Sequence, residues 1–130
     1  MIDHLDHLVL TTSRPEACMD FYTRVMGMQL ETFVGGTPPV SRQAFTFGQQ
    51  KINLHPADAP FAPHAKQPLP GSADLCLIVG IPIDEVVARL GAESVEVIEG
   101  PVARTGALGP IQSVYFFDPD GNLLELSSYA

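Results

Sequence analysis

Ser113-Val-Tyr-Phe-Phe-Asp-Pro-Asp-Gly-Asn-Leu-Leu-Glu-Leu-Ser-Ser128 is the stretch on which the fold turns. Val114 to Phe117 have strand character, and Asp118 to Asn122 supply a turn. Pro119 fixes its own φ, Gly121 allows a positive φ, and the Asp and Asn side chains bond nearby backbone. The returning strand alternates, with Leu124 and Leu126 on one face and Leu123, Glu125 and Ser127 on the other. A carboxylate set between leucines in mid-strand is either exposed or functional, and Glu125 is read here as functional.

Working outward, Leu5 to Thr12 reads as a strand with Leu8 and Leu10 on one face and His7, Val9 and Thr11 on the other. Ser13-Arg14-Pro15-Glu16 has capping-box form, which predicts a helix to about Met26, stopped by Gly27. Ala17, Cys18, Phe21, Tyr22 and Val25 make its buried stripe. Strands are predicted at Met28 to Val34, Gln43 to Phe47 and Lys51 to His55. Pro56 to Gly71 reads as an ordered connector rich in proline and alanine. Ser72 to Val79 is a strand, Pro82 to Leu90 a helix ended by Gly91, and Val95 to Ile98 a strand. Glu99 to Pro110 reads as a Gly/Pro loop carrying Arg104, before the closing hairpin.

The order strand, helix, three strands therefore occurs twice. The fold class is α+β: two βαβββ modules forming a paired, U-shaped mixed sheet with the helices outside. The chain is expected to be one domain, with module one at about 1–56, a connector at 57–71 and module two at 72–130.

Composition narrows the function. The chain has 130 residues, 45% hydrophobic and 17% charged, with a formal net charge of −8. That balance is globular, and the negative charge disfavours nucleic acid and anionic membranes as partners. No apolar run is long enough to span a bilayer. Met1 to His7 lacks a basic region followed by an apolar one, so no signal peptide and a cytoplasmic location are expected. Cys18 and Cys76 are expected as reduced thiols.

If the leucines of the alternating strands face the helices, the opposite parity carries His7, Asn53, His55, Asp74, Cys76 and Glu125. Imidazoles and carboxylates presented from four strands fit a divalent transition metal with positions left for water or substrate. Each has a plainer reading: an exposed carboxylate for Glu125, a satisfied core histidine for His7, a strand end before Pro56 for His55, a backbone partner for Asp74. Cys76 reads better as a small buried side chain than as a thiolate ligand. Arg104 is a candidate for gripping a substrate carboxylate, or else a solvated loop charge.

The motifs Asp6-His7-Leu8-Val9-Leu10, Phe47 through His55, Gly71-Ser72-Ala73-Asp74-Leu75, Gly100 through Gly106 and Asp118 through Leu126 together resemble the vicinal oxygen chelate superfamily. This superfamily holds glyoxalase I, fosfomycin- and bleomycin-resistance proteins and extradiol dioxygenases. The likeness covers nearly the whole chain and points to single-module glyoxalase-domain proteins similar to glyoxalase domain-containing protein 5. By position, the family's first-strand histidine is His7 and its last-strand glutamate is Glu125. Asp74 occupies a place that usually holds histidine. Asn53 occupies the fourth-strand ligand place, with His55 on the same face as a substitute.

The resemblance thus implies a metal set of His7, His55 and Glu125, with Asp74 as fourth ligand or as a partner orienting an imidazole. Asn53 and Arg104 would contact substrate. The metal would be Ni, Zn, Mn or Fe. The implied activity is a glyoxalase-like lyase or isomerase acting on vicinal oxygens through an enediolate-type intermediate, with Glu125 moving the proton. An Fe(II) extradiol dioxygenase and a non-enzymatic binding or resistance protein are the alternatives. A small-molecule substrate, with a glutathione adduct among the candidates, and a homodimer complete the expectation.

Overall fold

The computed structural model describes residues 1–129. Chain contacts divide it into two compact units, Met1–Ser72 and Ala73–Ala130, so the connector belongs with the first.

The first unit runs β1 (His7–Thr12), α1 (Pro15–Asp20), a π-helical continuation (Phe21–Val25), β2 (Gln29–Gly35), β3 (Val40–Phe47) and β4 (Gln50–Pro56). Its sheet has the order β1-β4-β3-β2, with β1 and β4 parallel and the other pairs antiparallel. The second unit repeats the plan with β5 (Asp74–Ile78), α2 (Ile83–Ala92), β6 (Glu99–Gly106), β7 (Gly109–Phe117) and β8 (Leu123–Ser128), in the order β5-β8-β7-β6. Two four-stranded mixed sheets, each with its helical segment, make an α+β fold of two βαβββ modules, as the alternation and the repeat imply.

Strand parity separates core from site. Leu10, Phe45, Ile52 and Leu54 are buried on one face of the first sheet, and Tyr22 from the helix stacks on Phe45 at 4.9 Å between ring centroids. Val114, Phe116, Leu124 and Leu126 are buried in the second unit, where α2 contributes Val86 and Leu90. Acidic residues in the first turn of α2, Asp84 and Glu85, suit the positive end of its dipole.

Four local expectations change. The cap of α1 falls on Arg14 with no side-chain capping bond, and the Arg14 N–H donates to Thr12 Oγ1 instead. Gly91 does not stop α2: the helix runs to Ala92, Ser94 takes the left-handed turn at φ 59°, and the Val95 N–H donates to the Leu90 carbonyl. Val95 to Ile98 are spent on that exit and form no strand. Glu99 to Gly106, read as a loop, is the edge strand β6. An edge tolerates Pro101 because one side of the strand needs no hydrogen bond, and the register shifts between Glu99 and Val102 to accommodate it.

The Asp118–Asn122 turn behaves as its residues predict and does one thing more. Asp118 Oδ1 accepts from the amides of Asp120 and Asn122, and Gly121 sits at φ 87°. The Asn122 side chain donates to Asp118 Oδ2 and accepts from the Ala73 N–H. The turn thereby fastens the start of β5 to the start of β8.

Candidate functional site

Cross-strand register places every predicted site residue of the first unit on one polar face. His7 pairs with Lys51, Val9 with Asn53, and Thr11 with His55. Asn53 faces Ala44 on β3, and Thr46 faces Lys51. His7 and Asn53 thus lie one pleat apart on adjacent strands. His55 lies two pleats beyond the partner of His7, about 13 Å along the strands at ~3.3 Å per residue. The first unit therefore does not bring His7 and His55 to one ion. Sequence parity put them on one face correctly, but parity carries no cross-strand register.

The second unit repeats the spacing. Asp74 pairs with Leu123, and Cys76 with Glu125. Glu125 is one pleat beyond the partner of Asp74, just as Asn53 is beyond that of His7. His7/Asn53 and Asp74/Glu125 are thus the same two positions in two copies of one motif. Among the described residues, no three His, Cys, Asp or Glu side chains form a cluster that could hold a metal ion.

Each side chain has a defined setting. His7 is 44% exposed, and its Nδ1 is 2.7 Å from Asp6 Oδ1. That contact holds the Asp6 carboxyl below its ordinary range, and it leaves Nε2 as the free edge of the ring. A carboxylate on the far nitrogen is how a ligating imidazole is commonly oriented. Asn53 Oδ1 is buried with no hydrogen-bond partner. Glu125 is held by hydroxyls: Ser113 Oγ donates to Glu125 Oε2 at 2.6 Å, and Ser127 Oγ lies 3.3 Å from the same oxygen. Ser113 and Ser127 are themselves 2.7 Å apart. Cys76 Sγ is 3.3 Å from Ser127 Oγ, and burial pushes its thiol up. Cys76 is thus a neutral thiol on the Glu125 face of the second sheet, exposed rather than core.

Arg104 joins the Glu125 face of the second sheet, from a strand and not a loop. Its Nε donates to Tyr115 Oη at 3.0 Å and its Nη2 to Glu99 Oε1 at 2.9 Å. Tyr115 is the register partner of Glu125, and burial raises its phenol, offset in part by Arg104. Arg104 therefore positions Tyr115 beside Glu125, and its guanidinium is already committed to Glu99.

Sequence reading missed Ser113, Ser127 and Tyr115. Their signal was present: all three share the parity of Glu125 in paired strands. It also missed Arg42 and Phe61, which flank His55. Arg42 Cζ lies 4.2 Å from the Phe61 ring centroid, and the His55 and Phe61 rings meet edge to face at 5.0 Å. Burial first, then the charges of Arg42 and His64, hold the His55 imidazole below its ordinary pKa.

Two mixed sheets of one βαβββ plan, with His7/Asn53 and Asp74/Glu125 at equivalent strand positions, make the chain an internally duplicated α+β protein. The sequence model of the Glyoxalase/Bleomycin resistance protein/Dioxygenase superfamily matches residues 4–126, and the chain belongs to that superfamily. It is 48% identical over 129 residues to the virulence protein STM3117 of Salmonella typhimurium, covering 99% of this chain and 86% of that protein. The crystal structure of STM3117 superposes with a TM-score of 0.93 over 100% of this chain and 99% of that one. The glyoxalase domain-containing protein RDO1 of Mycosarcoma maydis is 49% identical over 125 residues, covering 96% of this chain and 68% of that protein. A lactoylglutathione lyase from Agrobacterium tumefaciens, 21% identical, superposes with a TM-score of 0.73 over 99% of this chain and 96% of that one. That likeness shows the fold alone.

Proposed function

We propose that the chain is a metal-dependent, glyoxalase-like lyase or isomerase acting on a small substrate with adjacent oxygens. The observation that carries this reading is the matched pair of positions, His7/Asn53 in one motif and Asp74/Glu125 in the other. The donors fit a divalent cation on chemical grounds: an imidazole with its far nitrogen on a carboxylate, a buried amide oxygen without a partner, and two carboxylates. His7 and Glu125 are the ligands we assign; Asn53 and Asp74 hold the matching positions of their own motifs. The metal, when bound, supplies charge stabilisation for the oxyanion that develops on the substrate.

Glu125 takes the proton from one carbon and returns it to the neighbouring one. Ser113 and Ser127 fix the carboxylate oxygen Oε2 and so aim the other oxygen. Tyr115, held by Arg104, supplies a neutral hydroxyl on the same face. We place the protein in the cytoplasm as a homodimer, a reading supported by its family. No helix among the described residues is long and apolar enough to cross a membrane. The register that parts His55 from His7 counts against the two-histidine, one-carboxylate set of the dioxygenase alternative.

The test is turnover of hemithioacetals formed from 2-oxoaldehydes and glutathione or other thiols, with each divalent metal in turn. Turnover that disappears in Glu125→Gln supports the assignment. Its absence with every metal and thiol, in protein that binds metal, refutes it.

A further inference from the structure

Row by row across the first sheet, Thr11, His55, Arg42 and Phe33 stand abreast at the end remote from His7. Thr11 pairs with His55 and Phe33 with Arg42, and the Gln43–Leu54 pair sets Arg42 beside His55. The Arg42 guanidinium is seated against the β2–β3 hairpin, where a Cβ on Gly36 would collide with Nη2. The Phe61 ring from the connector covers it. The seat is built, but its hydrogen bonds are incomplete. Arg42 Nε and His55 Nδ1 are buried without partners, and His55 is only 6% exposed.

Three other arginines make the contrast. Arg24 pairs with Asp20, Arg89 with Glu85 and Arg104 with Glu99, all on accessible surface. Arg42, the more enclosed, has no carboxylate among the described residues. A partly buried guanidinium beside an unpartnered imidazole is costly unless something supplies negative charge and acceptor oxygens. The guanidinium fork and a ring nitrogen are donors suited to a carboxylate or phosphate group, and Phe61 adds an apolar wall.

We propose that Arg42, His55 and Phe61 form a binding site for the oxyanion group of a small molecule. The assignment goes beyond the metal reading and stands without it, since all three residues belong to the first unit and none is assigned to the metal. The anion's oxygens accept from Arg42 and from the His55 ring, and the adjoining carbon skeleton packs on Phe61.

The experiment uses full-length protein freed of metal by chelator, so failure of the metal reading cannot affect it. Benzoate and inorganic phosphate are titrated separately while the His55 ring resonances are followed by NMR. Saturable shifts are expected with at least one anion. Arg42→Gln should weaken that binding by at least about tenfold, the worth of one charge-assisted hydrogen bond. Arg42→Lys, which keeps the charge and protects the fold, should fall between. Arg89→Gln, which removes a cation in the second unit, should leave binding unchanged. Tighter benzoate assigns a carboxylate, and tighter phosphate assigns a phosphate. No saturable shift with either anion, or binding that survives Arg42→Gln, overturns the proposal.

Discussion

Replacing Asn122 with alanine cuts the knot that joins β5 to β8. Asn122 is 2% exposed, so water does not take its place. Its Nδ2 donates to Asp118 Oδ2 at 2.8 Å and its Oδ1 accepts from the Ala73 N–H at 2.9 Å. The first bond involves a carboxylate and is worth about 1.5–3 kcal/mol; stranding the half-buried Ala73 amide adds about 1 kcal/mol. Asn122→Ala should therefore lose about 3 kcal/mol, a large share of a domain's usual ~5–15 kcal/mol. Urea unfolding followed by far-UV circular dichroism reads this directly, and the m-value should be unchanged. Asn122→Asp separates the two arms: it keeps the acceptor for Ala73 but sets a second carboxylate against Asp118. It should be at least as damaging at neutral pH and recover on acidification, when a shared proton replaces the amide hydrogen. A loss below about 1 kcal/mol for Asn122→Ala would refute the reasoning, because a buried side chain bonding on both sides cannot be deleted so cheaply.

Phe45→Ala should cost the first unit about 3–5 kcal/mol, since Phe45 is fully buried and stacks on Tyr22; urea unfolding checks it. His55 has a folded pKa below its unfolded value, so between the two the unfolded chain binds the extra proton. Stability should be fully present above about pH 6.5 and decline as pH falls through that range, and His55→Gln should flatten the slope in chelator-treated protein. Ser113→Ala should lower kcat by about tenfold with little change in KM, because Glu125 loses its 2.6 Å hydroxyl but keeps its charge. Equal kcat in wild type and Ser113→Ala would remove Ser113 from the machinery.

The sheets and their two faces were legible because leucines alternate with polar residues in β1, β4, β5 and β8. A period of two states which face a side chain occupies. The Asp118–Asn122 turn was legible for a different reason, as its residue types each have a local backbone role. Edge strand β6 was not legible: Gly100-Pro101 reads as a break, and only an edge position lets a strand tolerate it. The separation of His55 from His7 was hidden because register between β1 and β4 is set by a parallel crossover, not by either strand alone. Arg42 and Phe61 come from a strand and the connector, which local pattern does not join. The hydroxyls that hold Glu125 were written in the parity of Ser113 and Ser127 but have no motif of their own.

The central proposal is that His7 and Glu125 are metal ligands. Metal content, measured on protein purified without chelator and beside His7→Ala and Glu125→Ala, tests it most directly. The account predicts about one metal per chain in the wild type, lost in both variants while far-UV circular dichroism stays unchanged. A folded wild type that carries no metal and takes up none of Ni²⁺, Zn²⁺, Mn²⁺ or Fe²⁺ would contradict it, as would metal retained in both variants.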